Sequence, residues 1–360
     1  VDGISGVDLM AVLLNFAPSE EIEEAPAWEP RPVPNGTELF VRETSRRITS
    51  VLAGVAHVGA LRGELSDIAY EVRRRGRAVG ASLASGWLVP TGRTPINGPI
   101  GPNRRFDWLE LALDDVKEVK NKLGGSVNDV LLATVAGGVR TFLLEERGMS
   151  ADELEGLQFR AMAPVSVRPS EKQGTLGNHV AMWLVSLPVG ESDPVTRLHE
   201  VTQQTMHLKD SDQALGASTI VGLSTGAPTA LVSLGARLAA NVRPFNMTVT
   251  NVPGPQFPLY LLGSRLEATY PLVPLWQSHG VGIALFSYLG RVFWGVNSDF
   301  DLVADLPAFC TALESAFGEL LKAAENAPER VESAEEGAEP AEGGEAAAPK
   351  PRKRPPLGTR

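Results

Sequence analysis

The chain has 360 residues, 43% of them apolar and 21% charged, and 33 basic against 43 acidic residues give a net charge of −10. That composition belongs to an ordinary folded globular chain, and without a basic surplus to displace counterions it argues against a nucleic-acid partner. The single cysteine, Cys310, excludes an internal disulfide and a cysteine-built zinc site within one chain, and agrees with a reducing cytoplasm.

Residues 4–16 have helical spacing. Ser5 and Asp8 stand as a capping pair, and Val7, Met10, Ala11 and Leu14 share one face. Leu9, Val12, Leu13 and Phe16 fill much of the rest, so the segment is expected to be buried on all sides. No basic segment precedes it, so no signal peptide is expected. Pro26, Pro30, Pro32 and Pro34 then prevent helix and sheet pairing. Residues 20–36 are therefore predicted as an extended connector with Trp28 as an anchor. Residues 37–75 read as helices ending in Arg73-Arg74-Arg75.

The Gly- and Pro-rich stretch 91–105 marks a second connector. Strands and helices alternate after it. RFDWLELAL (105–113) has strand character. Residues 124–148 form a strong helix pattern, with Ser126 as N-cap and Val127, Leu131, Val135, Val139 and Leu143 at i+4 spacing. Strands are predicted at FRAMAPVSV (159–167), HVAMWLVSLPV (179–189), NMTVTNV (246–252), GVGIALFSYLG (280–290) and RVFWGVNSD (291–299). The charge-free run 213–236 is long enough to cross a bilayer, but its Gly226-Ala227-Pro228 break and polar residues suit broken buried helices or a membrane-facing surface. A closing helix is expected over 303–325. The tail 327–360 has only Val331 and Leu357 as large aliphatics and is expected to be disordered, acidic first and then basic.

Taken together and in order, several stretches carry a resemblance: VDGISG (1–6), PINGPIGPNRRFDW (95–108), SVNDVLLATVAGGVR (126–140), APVSVR (163–168), LGNHV (176–180), NVPGPQFPLYLLG (251–263) and FSYLGRVFWGVNSD (286–299). The chain resembles the bacterial wax ester synthase/acyl-CoA:diacylglycerol acyltransferases over residues 1–325. That family is similar to the chloramphenicol-acetyltransferase-like, CoA-dependent acyltransferases. The resemblance implies an α/β fold of two subdomains with a tunnel between them. It assigns 1–90 to the remainder of an incomplete N-terminal subdomain, 91–105 to an ordered connector and 106–326 to the C-terminal subdomain. The implied reaction moves a long-chain acyl group from acyl-CoA, a co-substrate with no further cofactor or metal, to diacylglycerol or a fatty alcohol. A cytoplasmic enzyme, peripheral on the inner membrane or on lipid inclusions, is the matching expectation.

The family motif is HHxxxDG, whose second histidine is the general base. Asp2-Gly3 match its DG and Val1 its last variable position, so the histidine pair would lie upstream of this chain. The resemblance makes Asp2 structural, pairing with a distant arginine, and gives Gly3 the tight turn. His57, His179, His199, His207 and His279 have no such motif around them, and each has a structural role as its simpler explanation. This chain alone is thus expected to be a feeble enzyme, since general-base help is worth ~10²–10⁴-fold. A chain that binds acyl groups or a partner without catalysis is the alternative, as is a same-fold acyltransferase for another lipid alcohol.

Asn128 either positions substrate in the tunnel or serves, like Asp129, in the first helical turn. Asn246, Thr248 and Thr250 should share one side of a strand that ends in Asn251 and a Pro-Gly turn, as a channel lining or as a wet sheet face. Ser287 and Tyr288 offer hydroxyls either to an oxyanion or to a strand end. Trp294, Gly295 and Asp299 read as architecture. Residues 259–262 and 270–276 make an apolar lip or a piece of core.

Overall fold

A computed structural model describes residues 10, 13–19, 34–45, 89–166, 180–210 and 243–328. Its centre is a six-stranded sheet: β1 (Arg104–Ala112), β2 (Arg160–Ser166), β3 (Val180–Ser186), β4 (Met247–Pro253), β7 (Val281–Tyr288) and β8 (Arg291–Asp299), in the order β1-β8-β7-β4-β2-β3. A two-stranded hairpin, β5 (Tyr260–Leu261) and β6 (Ser264–Arg265), stands apart from it. The inner strands β2, β4 and β7 are parallel, whereas β1 and β3 close the edges by antiparallel pairing to β8 and β2. Every strand expected within the described residues forms, and β1 begins at Arg104, inside the span assigned to the connector.

The sheet sorts its side chains by the two-residue period of a strand. Met247 and Val249 of β4, Val281, Ile283 and Leu285 of β7, and Val292, Trp294 and Val296 of β8 bury one face. Helices α1 (Leu113–Leu123), α2 (Val127–Glu145), α4 (Pro194–Asp210) and α5 (Leu306–Glu325) cover that face, and the short α3 (Ala151–Glu155) leads into β2. α2 is apolar nearly all round and long enough to cross a membrane, but it is the central core helix here. Its Gly137 and Gly138 allow close neighbours. A Cβ at 138 would lie 2.6 Å from Leu313 of α5, and one at 137 would lie 2.1 Å from the Arg197 guanidinium of α4. Arg197 is buried, donates to the carbonyls of Glu191 and Ser192, and has its pKa lowered by that burial.

The opposite face holds a second apolar cluster of Leu259, Phe286, Tyr288 and Phe293. The extended run 270–276 crosses this face. Asn297 donates to the Val273 carbonyl, and Gly295 lets the Pro271 backbone approach so closely that a Cβ would sit 1.7 Å from its oxygen. Residues 271, 273 and 275 therefore face the sheet, while Leu272 and Trp276 face outward. Both readings of this run hold, each for alternate residues.

The first segment corrects one expectation. Met10 and Leu14 pack on the second cluster, but Leu13 and Phe16 are exposed. The reason is that the helical part ends at Leu13: Asn15 pairs with Tyr260 of the hairpin, which takes the chain off a helical path. Residues 36–45 are helical, and Asn35 and Glu38 cap the start reciprocally. Most of the first connector, the run 213–236 and the tail from 329 lie outside the described residues.

Candidate active site at one edge of the sheet

Parallel strands β4 and β7 end at the same edge, with Asn251 opposite Leu285 and Pro253 opposite Ser287. α2 begins at this edge. Its far end is fixed by Arg147, which ion-pairs with Asp305 at 2.6 Å just beyond the end of β8, beside the start of β7. A 19-residue helix spans roughly 28 Å, about the length of the strands beneath it, so its first turn reaches the opposite edge.

The sequence shapes that first turn closely. Gly124 and Gly125 adopt φ of 96° and 82°, a region that side chains disfavour, and turn the chain into Ser126. The Ser126 hydroxyl accepts from the Asp129 N–H, and the Asp129 carboxylate accepts from the Ser126 N–H and hydroxyl at 2.8 and 2.9 Å. The other Asp129 oxygen accepts from Thr205 of α4 at 2.7 Å. Asp129 is thereby a buried cap, as expected from its place in the turn. Asn128 precedes it, half-buried, and its side chain has no hydrogen-bond partner among the described residues. Asp129 holds the turn and leaves Asn128 available.

On β4 the side chains fall as expected: Met247 and Val249 enter the helix-side core, while Thr248 and Thr250 take the other face. Thr248 is buried, Thr250 and Asn251 are half-buried, and none has a side-chain partner among the described residues. Asn246 belongs to a different group. It receives the Arg160 N–H and donates to Gly92 O and Asn97 Oδ1, and Asn97 returns a bond to Asn246 O, which ties the connector to the start of β4.

The hydroxyls of Ser287 and Tyr288 are engaged locally. Ser287 accepts from Gly254 N at 3.2 Å and from Gln256, whose own oxygen accepts from Gly290 N at 2.8 Å. Gly254 permits this contact, since a Cβ there would lie 2.3 Å from Ser287 O. Tyr288 is buried, accepts from Leu259 N at 2.9 Å and donates to Leu266 O at 3.0 Å. With its one O–H given to Leu266, Tyr288 has no proton left for an oxyanion. In this structure these two residues brace the Pro-Gly turn and the β5–β6 hairpin, the strand-end alternative of the sequence reading.

His279 is buried, stacked on Phe245 at 4.3 Å, with its ring nitrogens 2.8 Å from Gln277 O and Phe245 O. Burial lowers its pKa against the pull of those carbonyls, and nearby Arg243 lowers it further. This is a structural histidine. His199 and His207 are exposed on α4. Asp2, Gly3, His57 and His179 lie outside the described residues. Among the described residues no group of three His, Cys, Asp or Glu side chains could hold a metal ion.

Two family models match the chain in order: the wax ester synthase/diacylglycerol acyltransferase catalytic domain over residues 1–131 and the C-terminal domain of the same enzymes over 176–321. The chain belongs to the wax ester synthase/diacylglycerol acyltransferase family. A Mycobacterium tuberculosis protein named as a diacylglycerol O-acyltransferase is 31% identical over 347 residues, covering 91% of this chain and 64% of its own length. A second protein so named from that organism is 34% identical over 236 residues, covering 63% of this chain and 46% of its own length. The chain thus spans less than two thirds of the length of these family members. The solved wax ester synthase/diacylglycerol acyltransferase of Marinobacter aquaeolei shares the fold, with a TM-score of 0.55 and 22% identity over 90% of this chain and 65% of that one. The α/β fold of this chain is thereby that of a solved family member.

Proposed function

We propose that the protein containing this chain transfers a long-chain acyl group from acyl-CoA to the hydroxyl of diacylglycerol or a fatty alcohol. The family match in both halves supports the reaction class. The observation that carries the site is Asn128, whose side chain has no hydrogen-bond partner among the described residues, at the edge where β4 delivers Asn251 and the Pro-Gly turn. A carboxamide there can donate to the thioester carbonyl or accept from the acceptor hydroxyl. Deprotonation of that hydroxyl belongs to the histidine pair of the family motif ahead of Asp2. His279 is engaged with the Gln277 and Phe245 carbonyls, and His199 and His207 lie exposed on α4, so none of the described histidines is placed to take that proton. No organic cofactor or metal is needed, because thioester cleavage by an alcohol balances with one proton passed from hydroxyl to departing thiolate.

We also propose a cytoplasmic, membrane-peripheral location, on the inner membrane or on lipid inclusions. Leu261 and Leu262 are each 53% exposed at the hairpin tip, and Leu13 and Phe16 lie exposed beside it through the Asn15–Tyr260 pairing. Such a protruding apolar tip suits the interfacial layer of a lipid surface. The full gene product, assayed with palmitoyl-CoA and either diacylglycerol or hexadecanol, should release CoA and form ester. Absence of ester with every lipid alcohol in a chain-length panel, from a folded full-length protein, overturns the proposal.

A further inference from the structure

At the opposite edge of the same strands, three arginines gather around the start of β4. The Arg160 guanidinium donates to Val89 O, Pro244 O and Gln158 Oε1. Arg243, one residue before Pro244, accepts at its carbonyl from Thr91 N at 2.8 Å and from the Thr91 hydroxyl at 3.2 Å. Arg93 follows Thr91 by two residues, which puts it beside Arg243, close enough for each charge to oppose the other. Arg243 Nε is fully shielded and has no hydrogen-bond partner. Neither Arg93 nor Arg243 pairs with a carboxylate among the described residues. Nearby His279, whose pKa is lowered chiefly by burial, supplies no negative charge either.

A shielded guanidinium N–H without an acceptor is costly, and a second guanidinium beside it, with no carboxylate partner among the described residues, raises that cost. An anion with several acceptor oxygens held between Arg93 and the terminal nitrogens of Arg243 would offset the opposition of the two charges, and phosphate matches the guanidinium fork best. We propose that Arg93 and Arg243 form a phosphate-binding subsite. The choice of ligand rests on the acyl-CoA reading: the phosphates of the CoA nucleotide seat here, while the thioester reaches the edge with Asn128 and Asn251. From Arg243 to Asn251 the chain runs roughly 25 Å at ~3.3 Å per residue, a span comparable to an extended phosphopantetheine arm plus an arginine side chain. A phospholipid headgroup offers the same phosphate chemistry, so the test includes both sources.

The test is binding to the full chain by calorimetry, with adenosine 3′,5′-bisphosphate in one arm and monomeric dihexanoyl phosphatidylglycerol in the other. Arg93→Gln is the primary variant because Arg93 is exposed; Arg243→Lys is the second, with circular dichroism as the folding check for both. Each should weaken the bisphosphate roughly tenfold or more, Arg93→Gln by loss of a charge-assisted contact and Arg243→Lys by loss of the planar two-pronged contact. A matching loss confined to the phosphatidylglycerol arm keeps the phosphate site and assigns it to lipid. Binding unchanged by Arg93→Gln in both arms, or no binding of either probe to the wild type, overturns the proposal. If the bisphosphate binds and responds to both variants while the full gene product forms no ester, the acyltransferase reading fails and the subsite stands.

Discussion

Asn128 and Asp129 are adjacent, yet of the two only the Asp129 side chain is hydrogen-bonded among the described residues, and paired substitutions separate its capping role from the proposed substrate role of Asn128. Asp129→Ala removes the acceptor of the Ser126 N–H at 2.8 Å, of the Ser126 hydroxyl at 2.9 Å and of the Thr205 hydroxyl at 2.7 Å, all at a buried position. A lost N-terminal cap costs about 1 kcal/mol, and a buried donor left without its charged acceptor about 1–3 kcal/mol. The hydroxyls can rotate to other acceptors, so the sum should lie near 2–4 kcal/mol. Asn128→Ala removes no hydrogen bond within the described residues and should change stability by less than ~0.5 kcal/mol. Urea unfolding followed by circular dichroism measures both. In ester-forming assays of the full gene product, Asn128→Ala should lower kcat/KM by roughly tenfold or more, the scale of one lost polar contact to the reacting groups. Asp129→Ala destabilising by under 1 kcal/mol, or Asn128→Ala unfolding the protein while leaving the activity of its folded fraction intact, refutes this division of roles.

Three further outcomes follow from the packing and the charges. Gly295→Ala places a Cβ 1.7 Å from Pro271 O, so it should destabilise by about 1–3 kcal/mol or displace the 270–276 run, visible as faster proteolysis there. Burial alone would raise the Asp299 carboxyl, but the N–H groups of Leu302, Gly101 and Asp301 and the Arg104 guanidinium together hold it below its ordinary value. Its stabilisation is therefore complete above the unfolded carboxylate pKa, near pH 4, and is lost as pH falls through the lower folded value. Asp299→Asn should flatten that part of a urea-midpoint-versus-pH curve, and an unchanged slope would count against it. Cys310 is buried, with its thiol pushed up to about 12 by burial and by Asp107, so it should resist a disulfide reagent at pH 8 until urea unfolds the chain.

The strands and the central helix were legible in the sequence because their signals are local. Ser126 stands before an apolar run with i+4 repeats, and Met247-Thr248-Val249-Thr250 alternates with period two. The capping role of Asp129 was legible for the same reason. The helix α1 was missed because it follows β1 without a turn residue: Ala112 ends the strand and Leu113 begins the helix. Its start is set by a tertiary bond, Leu113 N to Gly290 O, which no local pattern encodes. The β5–β6 hairpin was hidden because its turn residue at positive φ is Leu262, with Gly263 after it, where Asn-Gly would have given the usual signal.

The hydroxyls at the end of β7 show why residue type alone overstates a site. Ser287 and Tyr288 are adjacent in a strand, so their side chains leave opposite faces. One meets the Pro-Gly turn and the other the loop that carries the hairpin, and both are engaged by backbone groups 22–33 residues away in sequence. Asn128 differs because its neighbour has already satisfied the helix end, and its own side chain has no hydrogen-bond partner among the described residues. The contrast gives a working criterion for this edge of the sheet: the residues to associate with substrate are those whose polar atoms the fold leaves unused. By it Asn128, Thr248, Thr250 and Asn251, whose side chains have no hydrogen-bond partner among the described residues, stand as the proposed substrate contacts, with Ser287 and Tyr288 as proposed support. Tyr288→Phe tests it directly. Losing two buried hydrogen bonds should cost about 1–2 kcal/mol of stability with kcat unchanged in the folded full gene product. A fall in kcat at unaltered stability would return the Tyr288 hydroxyl to the chemistry.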